Sequence, residues 1–391
     1  MATKNASGLG SIRQRSDGRW EGRYSAGFDP RTCKQIQRSV YGKTQREVRQ
    51  KLNKITSELD SGTYTAPTKL TVSDWLQIWL TEYTSNVKPF TKRAYQDRVR
   101  IHILPALGPI KLTALTPPII QKFVNDLGSG RDGRKALAPK TIKNIHGVLH
   151  RALLQAQLVG YLKINPADHC ALPRVIRPDI QPLDDEAITK FIKTVSGNKY
   201  EILFLITLFT GMRQGEVLGL TWKDLNWEQH SITIKQQLQR EKSPKGKYYL
   251  TTLKNDKTRV IRVAPSVMEL FRKQKDTQEA DRVAAFDRWN EDFPGLVFTD
   301  EFGKHLSHTT VRKYFKRLVK DIGYPQARFH DLRHTFASLC LRNGDNIKVV
   351  QEALGHYSAS FTLDVYSHVT NDQQSASAQR MEDYIAGIYE K

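Results

Sequence analysis

Cysteine is nearly absent from this chain: Cys33, Cys170 and Cys340 are three in 391 residues, far apart and in no paired spacing. That pattern argues against a disulfide framework and against a thiolate zinc site. Long apolar runs are missing too. The stretch EILFLITLF, residues 201–209, is far shorter than the roughly 20 residues needed to cross a bilayer, and it predicts a buried helix. The N-terminus has no apolar segment followed by a cleavage pattern, so a cytoplasmic protein without a membrane partner is expected. Carboxylates are scarce, with 40 Asp and Glu against 61 Lys and Arg. The densest acidic run, Asp184-Asp185-Glu186, reads as the charged first turn of a helix. His305 and His308 lack a third ligand nearby, and no Walker loop is present, so neither metal nor nucleotide cofactor is expected.

What remains is positive charge. A net charge of +21 and a pI near 9.8 call for a polyanionic partner. With no segment able to span a membrane, nucleic acid is the better candidate.

The chain reads as an α+β multidomain protein in three parts, 1–66, 67–175 and 176–391. In the first, short alternating runs are broken by Ser16-Asp17-Gly18 and Phe28-Asp29-Pro30, which predicts a three-stranded antiparallel sheet. A helix follows from about Thr44 to Leu59. This part holds about 13 Lys and Arg against about 6 Asp and Glu. Arg13, Arg15, Arg19, Trp20 and Arg23 are placed to lay one sheet face into a DNA groove. In the second part, Thr71-Val-Ser-Asp74 is a capping box for TVSDWLQIWLTEY. Thr91 is read as the cap of the next helix, and TPPIIQKFVNDL stops before Gly128. Residues 139–159 form the longest helix. Its Lys140 and Lys143, with Lys92 and Arg93 upstream, are candidates for phosphate contacts. The third part is mixed and mainly helical. Its runs SITIKQQLQ, YYLTTLK and TRVIRVAP predict one small antiparallel sheet.

Residues 330–366 carry the most chemistry. His330 and Arg333 in FHDLRHTFAS are three apart and share a helix face. Gly355-His356 follows in LGHYSAS and Tyr366 in LDVYSHV. Far upstream, Arg213 ends the apolar helix of LFTGMRQGEVLGL, with Glu216 one turn on, and Lys254 lies between in LKNDKTRVIRV. Arginine forks grip phosphate oxygens with two parallel hydrogen bonds and keep their charge. Histidine shuttles protons near neutral pH. Tyrosine is a nucleophile once it loses its proton to its surroundings.

This ordered set resembles the tyrosine recombinases, in particular the integrases of phages and conjugative transposons, over nearly the whole chain. The resemblance implies that Arg213 and Arg333 clamp the scissile phosphate and that Glu216 supports Arg213. It implies that His330 acts as acid or base and that His356 hydrogen-bonds the phosphate. By the same resemblance Tyr366 attacks to form a 3′-phosphotyrosine bond, and Lys254, on a mobile hairpin, protonates the departing 5′ oxygen. Lys257 is the alternative, because the hairpin register is open by a few residues. Tyr357, Tyr384 and Tyr389 do not match the family's distance from Leu354-Gly355-His356.

Further implications concern partners. Residues 1–66 would bind arm-type DNA sites, 67–175 the core site, and 176–391 would be the catalytic domain with a C-terminal tail. Four protomers would assemble on double-stranded DNA, with an excisionase and a host DNA-bending protein as further partners. A site-specific recombinase that integrates or excises a mobile element is therefore expected. A type IB topoisomerase-like enzyme and a non-catalytic DNA-binding regulator stay open as alternatives. Covalent capture of DNA and joining of two sites separate the three.

Overall fold

Alternating side chains and an Asp-Gly turn build the N-terminal sheet. In this computed structural model, β1 (Ser11–Gln14), β2 (Trp20–Phe28) and β3 (Gln35–Gly42) pair antiparallel in the order β1-β2-β3. The structure describes residues 11–28, 34–61, 69–130, 135–176, 182–241, 246–253 and 256–355, and within the C-terminal segment 378–379, 381–383, 385–386 and 388. The chain divides into two compact units, Met1–Arg177 and Pro178–Lys391.

In the first unit, helix α1 (Gln45–Asp60) covers one face of the sheet. Thr44 caps it by accepting from the Glu47 amide, as the expected start at Thr44 requires. Val48 and Leu52 bury against Tyr24, with Ile12, Trp20 and Val40 around them. Trp20 therefore belongs to the helix-facing side of the sheet. The expectation that it shares an open face with Arg13 and Arg23 is wrong, because successive strand residues point to opposite faces.

A helical bundle follows: α2 (Val72–Glu82), α3 (Pro89–Arg98), α4 (Leu104–Leu107), α5 (Pro117–Ser129) and α6 (Pro139–Leu158). The Thr71–Asp74 capping box is present in both directions. Trp75, Trp79, Leu76, Ile103, Ile145 and Leu149 form the centre, and the Trp75 indole donates to the Ala152 carbonyl at 2.8 Å. Thr91 is not a cap: α3 begins at Pro89, whose missing N–H costs nothing in a first turn. Residues 99–103 between α3 and α4 are π-helical, with the Leu104 amide reaching back to the Val99 carbonyl. That widening lies directly before Pro105, which has no amide to continue the α-helical ladder. Helix α5 runs through Gly128 and ends instead at Gly130, which takes the left-handed conformation.

The second unit opens with α7 (Asp185–Val195), capped by Asp184, then the apolar α8 (Glu201–Thr210) and the short α9 (Gln214–Leu218). The expected single sheet is two. Strands β4 (Leu225–Asn226), β5 (Ser231–Ile234) and β8 (Arg259–Arg262) form one, and β6 (Gln236–Arg240) with β7 (Tyr248–Thr252) forms a separate hairpin. The run SITIKQQLQ thus splits at Lys235, between β5 and β6. Helices α10 (Pro265–Ala285), α11 (His308–Asp321), α12 (Asp331–Arg342) and α13 (Ile347–Leu354) complete the unit. At 21 residues, α10 exceeds the 20 of α6, so residues 139–159 are not the longest helix. Phe191, Phe204, Phe315, Phe329 and Leu332 fill the core, and α8 is buried along nearly its whole length. The described residues of the C-terminal segment are helical, and Met381, Ile385 and Ile388 on it are exposed. No described helix is long and apolar enough to cross a membrane.

Candidate active site

A helix end leaves backbone carbonyls without intrahelical partners. At the C-terminus of α13, three consecutive ones are each taken by a different arginine. Arg259 donates from Nε to the Ala353 carbonyl at 2.8 Å. Arg333 donates from Nη2 to Leu354 at 2.5 Å, and Arg213 from Nη2 to Gly355 at 3.2 Å. These arginines come from β8, from α12 and from the N-cap of α9. The negative end of the helix dipole favours cations at this place.

Arg333 also donates from Nη1 to the Gly211 carbonyl at 2.8 Å, so one guanidinium ties the end of α8 to the end of α13. Its side chain is buried, which carbonyl partners make tolerable. Gly211 has φ +62°, and a Cβ there would meet the Phe336 ring at 2.4 Å. Only glycine lets the chain turn at this point and offer its carbonyl to Arg333.

Glu216 lies beneath Arg213 and is almost fully enclosed. Its oxygens accept from the Arg213 amide at 2.8 Å and from Arg213 Nη1 at 2.7 Å. They also accept from Arg259 Nη1 at 3.0 Å and Nη2 at 2.7 Å. Burial pushes this carboxyl up, but the Arg259 hydrogen bonds and the charges of Arg259 and Arg213 outweigh it and hold it at about 2. It is ionised at any working pH. Arg213 keeps 28% of its side chain exposed, so it is the accessible member of this trio.

His330 precedes the first turn of α12, and its ring stands edge-on to His334, with centroids 4.9 Å apart. Burial, then the charges of His334, Arg333 and Arg213, bring His330 down to about 4. Its outer edge stays open to solvent, which moderates that depression. At neutral pH the ring is uncharged and able to accept a proton.

The structure thus brings together Arg213, Glu216, His330 and Arg333. Lys254, His356 and Tyr366 lie outside the described residues, although α13 and its C-cap Gly355 lead directly to His356. Lys257 is exposed between β7 and β8. Among the DNA-contact candidates, Arg13 and Arg23 flank Glu21 on the sheet face opposite α1, while Arg19 is held to Asp17 in the turn. Arg15 lies over the Tyr41 ring. Arg93 pairs with Asp97, Lys92 is half-buried, and Lys140 and Lys143 are exposed on α6.

Two features escaped the sequence reading. Arg259 is one; a charged residue two positions from the buried Ile261 on β8 is the signal that marks its inward face. The other is α11, whose apolar stripe is backed by exposed Arg312, Lys313, Lys316, Arg317 and Lys320. Its amphipathic pattern is readable in HTTVRKYFKRLVKD.

Known proteins share the fold that carries this site. The model of the phage integrase family matches residues 180–373, and that of the phage integrase N-terminal SAM-like domain matches 71–128. A tyrosine recombinase XerC-like protein of Caldanaerobacter subterraneus subsp. tengcongensis is 27% identical, over 90% of this chain and 92% of its own. Among solved structures, the Tn1549 transposon integrase in complex with transposon right end DNA aligns with a TM-score of 0.66 at 25% identity. That match covers 80% of this chain and 100% of the other. A lambda integrase tetramer bound to a Holliday junction shares the fold, with a TM-score of 0.55 at 19% identity over 92% and 96% of the two chains. The chain belongs to the phage integrase family and is a site-specific tyrosine recombinase.

Proposed function

We propose that this recombinase integrates or excises a mobile DNA element, with Tyr366 as nucleophile and Arg213 and Arg333 as the clamp on the scissile phosphate. The observation that carries this reading is the convergence of both arginines on the last turn of α13, directly before His356. In the proposed reaction the Tyr366 phenolic oxygen attacks phosphorus, and its proton passes to neutral His330. The bond from phosphorus to the 5′ oxygen breaks, and Lys254, or Lys257 in the alternative register, protonates that oxygen. The resulting 3′-phosphotyrosine ester keeps the bond energy, and the 5′ hydroxyl of a partner strand reverses the step. His356 would add a hydrogen bond to the phosphate. Charge stabilisation by preorganised donors is the main source of rate in such transfers.

Residues 1–66 then read arm-type sites, 67–175 grip the core site with Lys92, Arg93, Lys140 and Lys143, and 176–391 perform the chemistry. The exposed basic stripe of α11 supports DNA contact by the catalytic part as well. Assembly of four protomers is supported by the exposed Met381, Ile385 and Ile388, an apolar stripe that a neighbour would cover.

The test is covalent trapping on a nicked suicide duplex carrying the element's junction. Wild type is expected to form an adduct mapped to Tyr366, and Tyr366→Phe to bind the same duplex and trap nothing. Adducts from Tyr366→Phe, or DNA mapped to Tyr384, would overturn the assignment. Joining of two separate duplexes by wild type distinguishes this reading from a topoisomerase, which would only relax one.

A further inference from the structure

We infer that Arg259 is a positioning residue for strand cleavage, acting through Glu216 to leave the charge of the Arg213 guanidinium available to the scissile phosphate. This rests on the reading of Arg213 as a phosphate clamp and adds the device that keeps it poised. Arg259 does not clamp the phosphate itself. Only 10% of its side chain is exposed, and its fork is spent on Glu216 and the Ala353 carbonyl.

Glu216 Oε1 is shared between Arg213 Nη1 at 2.7 Å and Arg259 Nη1 at 3.0 Å, and its Oε2 accepts from Arg259 Nη2 at 2.7 Å. The trio carries one net positive charge, and the exposed member presents it. Without Arg259, the buried carboxylate would have Arg213 alone, and that pair is neutral. The Arg213 charge, already bonded to Glu216, would then be spent wholly on it, because a buried charge left without its other partner leans on whatever counter-charge is within reach. The expected effect is a loss of field at the phosphate over and above any loss of stability.

Arg259 also occupies a junction of the elements that carry the chemistry. It sits on β8, directly after the stretch of sequence that holds Lys254 and Lys257, and it bonds the end of α13, which precedes His356. Gly355 has φ +63°, and a Cβ there would come within 3.0 Å of Arg259 Nη1. The guanidinium therefore lies against the backbone that leads into His356. One side chain fixes three segments that the reaction needs in register.

Single-turnover cleavage of the nicked junction duplex by full-length protein tests this, with binding measured separately and thermal melting as control. Arg259→Gln is expected to slow cleavage by about thirtyfold or more, while duplex affinity stays within about threefold, as for loss of a transition-state interaction. The discriminating arm is Arg259→Gln with Glu216→Gln. Removing the orphaned carboxylate should recover at least about tenfold of the lost rate, a non-additivity expected only of coupled residues. Cleavage by Arg259→Gln near the wild-type rate overturns the inference. So does a defect that tracks the melting temperature and is not relieved in the double variant, since that is a purely structural role. Should Arg259→Gln fail to fold, Arg259→Lys carries the test with a smaller expected loss, because it keeps the charge but cannot grip both oxygens; no loss, or a loss that Glu216→Gln does not relieve, overturns the inference. An Arg213→Ala arm reports on the underlying reading: if it cleaves normally, the clamp assignment fails, whatever Arg259 does.

Discussion

Two glutamates in this chain are each gripped by two arginines, and they teach opposite lessons. Glu21 lies at the middle of the open face of the N-terminal sheet, with Arg13 at 2.6 Å, Arg23 at 3.5 Å and Ser39 at 2.8 Å. Glu216 lies inside the second unit under Arg213 and Arg259. Both carboxyls are held at about 2. At Glu21 the Ser39 hydroxyl and Arg13 outweigh burial, and the cover over this carboxylate is the solvated side chains that grip it. At Glu216 the arginines must overcome burial. The first is a covered carboxylate whose arginine partners are themselves open to water and salt. The second is a buried network in which each member depends on the others.

The largest expected effect follows from that dependence. Glu216→Ala leaves the Arg259 guanidinium buried without its carboxylate, and breaking such a pair costs about 3 to 5 kcal/mol. Against a typical total of about 5 to 15 kcal/mol, the second unit should melt at a clearly lower temperature. A melting temperature unchanged from wild type would erase the distinction between the two glutamates. Arg213→Ala comes next. It removes the exposed member, so folding should hold, while single-turnover cleavage drops by about two to three orders of magnitude, as for loss of one oxyanion donor. Cleavage within about tenfold of wild type would reject its role.

Acid should act on neither glutamate first. Burial brings His334 and His308 from 6.5 down to about 4, and His330 follows with its open edge. A depressed histidine is neutral in the fold while the unfolded chain takes up the proton. Stability is therefore complete above about 6.5 and is lost as pH falls towards 4. Chemical denaturation of the second unit at pH 7 and pH 5 checks this, with a lower midpoint expected at pH 5. His334→Phe should reduce the difference, because ring packing remains and one of the three titrations does not. The two glutamates, ionised down to about 2, contribute nothing to this window.

How much of this was legible in the sequence differs along the same line. Local chemistry was readable: the Thr71–Asp74 box, the buried α8, and the i,i+3 pair of His330 and Arg333 all depend on neighbours within a turn. Thr91 was misread as a cap because Pro89 starts the helix earlier, and Trp20 was misplaced by one step of strand alternation. Arg259 was passed over because its partners, Glu216 and Ala353, are 43 and 94 positions away. Nothing in the Lys-x-x-Lys-x-Arg run reports contacts that only the tertiary fold makes. Glu21 was equally invisible, since a lone acid among arginines reads as dilution of charge rather than as the group that orders them.

The smallest effect expected is at Glu21, and it is the one that sharpens the comparison most. Glu21→Gln keeps the shape and the hydrogen bond from Ser39 but removes the charge that fixes Arg13 and Arg23. Melting should barely move, since both arginines are already solvated, with 57% and 44% of their side chains exposed. DNA binding should change in a specific way. One negative charge is gone from a face proposed to meet phosphates, so affinity for random duplex should rise. The dependence on salt should steepen by up to about 0.9 per additional phosphate neutralised. Preference for arm-type sites over random duplex should fall, because arginines no longer held at one angle contact phosphates without selecting bases. Binding isotherms over a salt series, on arm-site and random duplexes, read both quantities. If affinity, salt slope and preference all match wild type, this sheet face does not meet DNA, and Glu21 only ties β1 to β2 and β3. A large drop in melting temperature would be the more instructive failure, since it would make Glu21 a second Glu216.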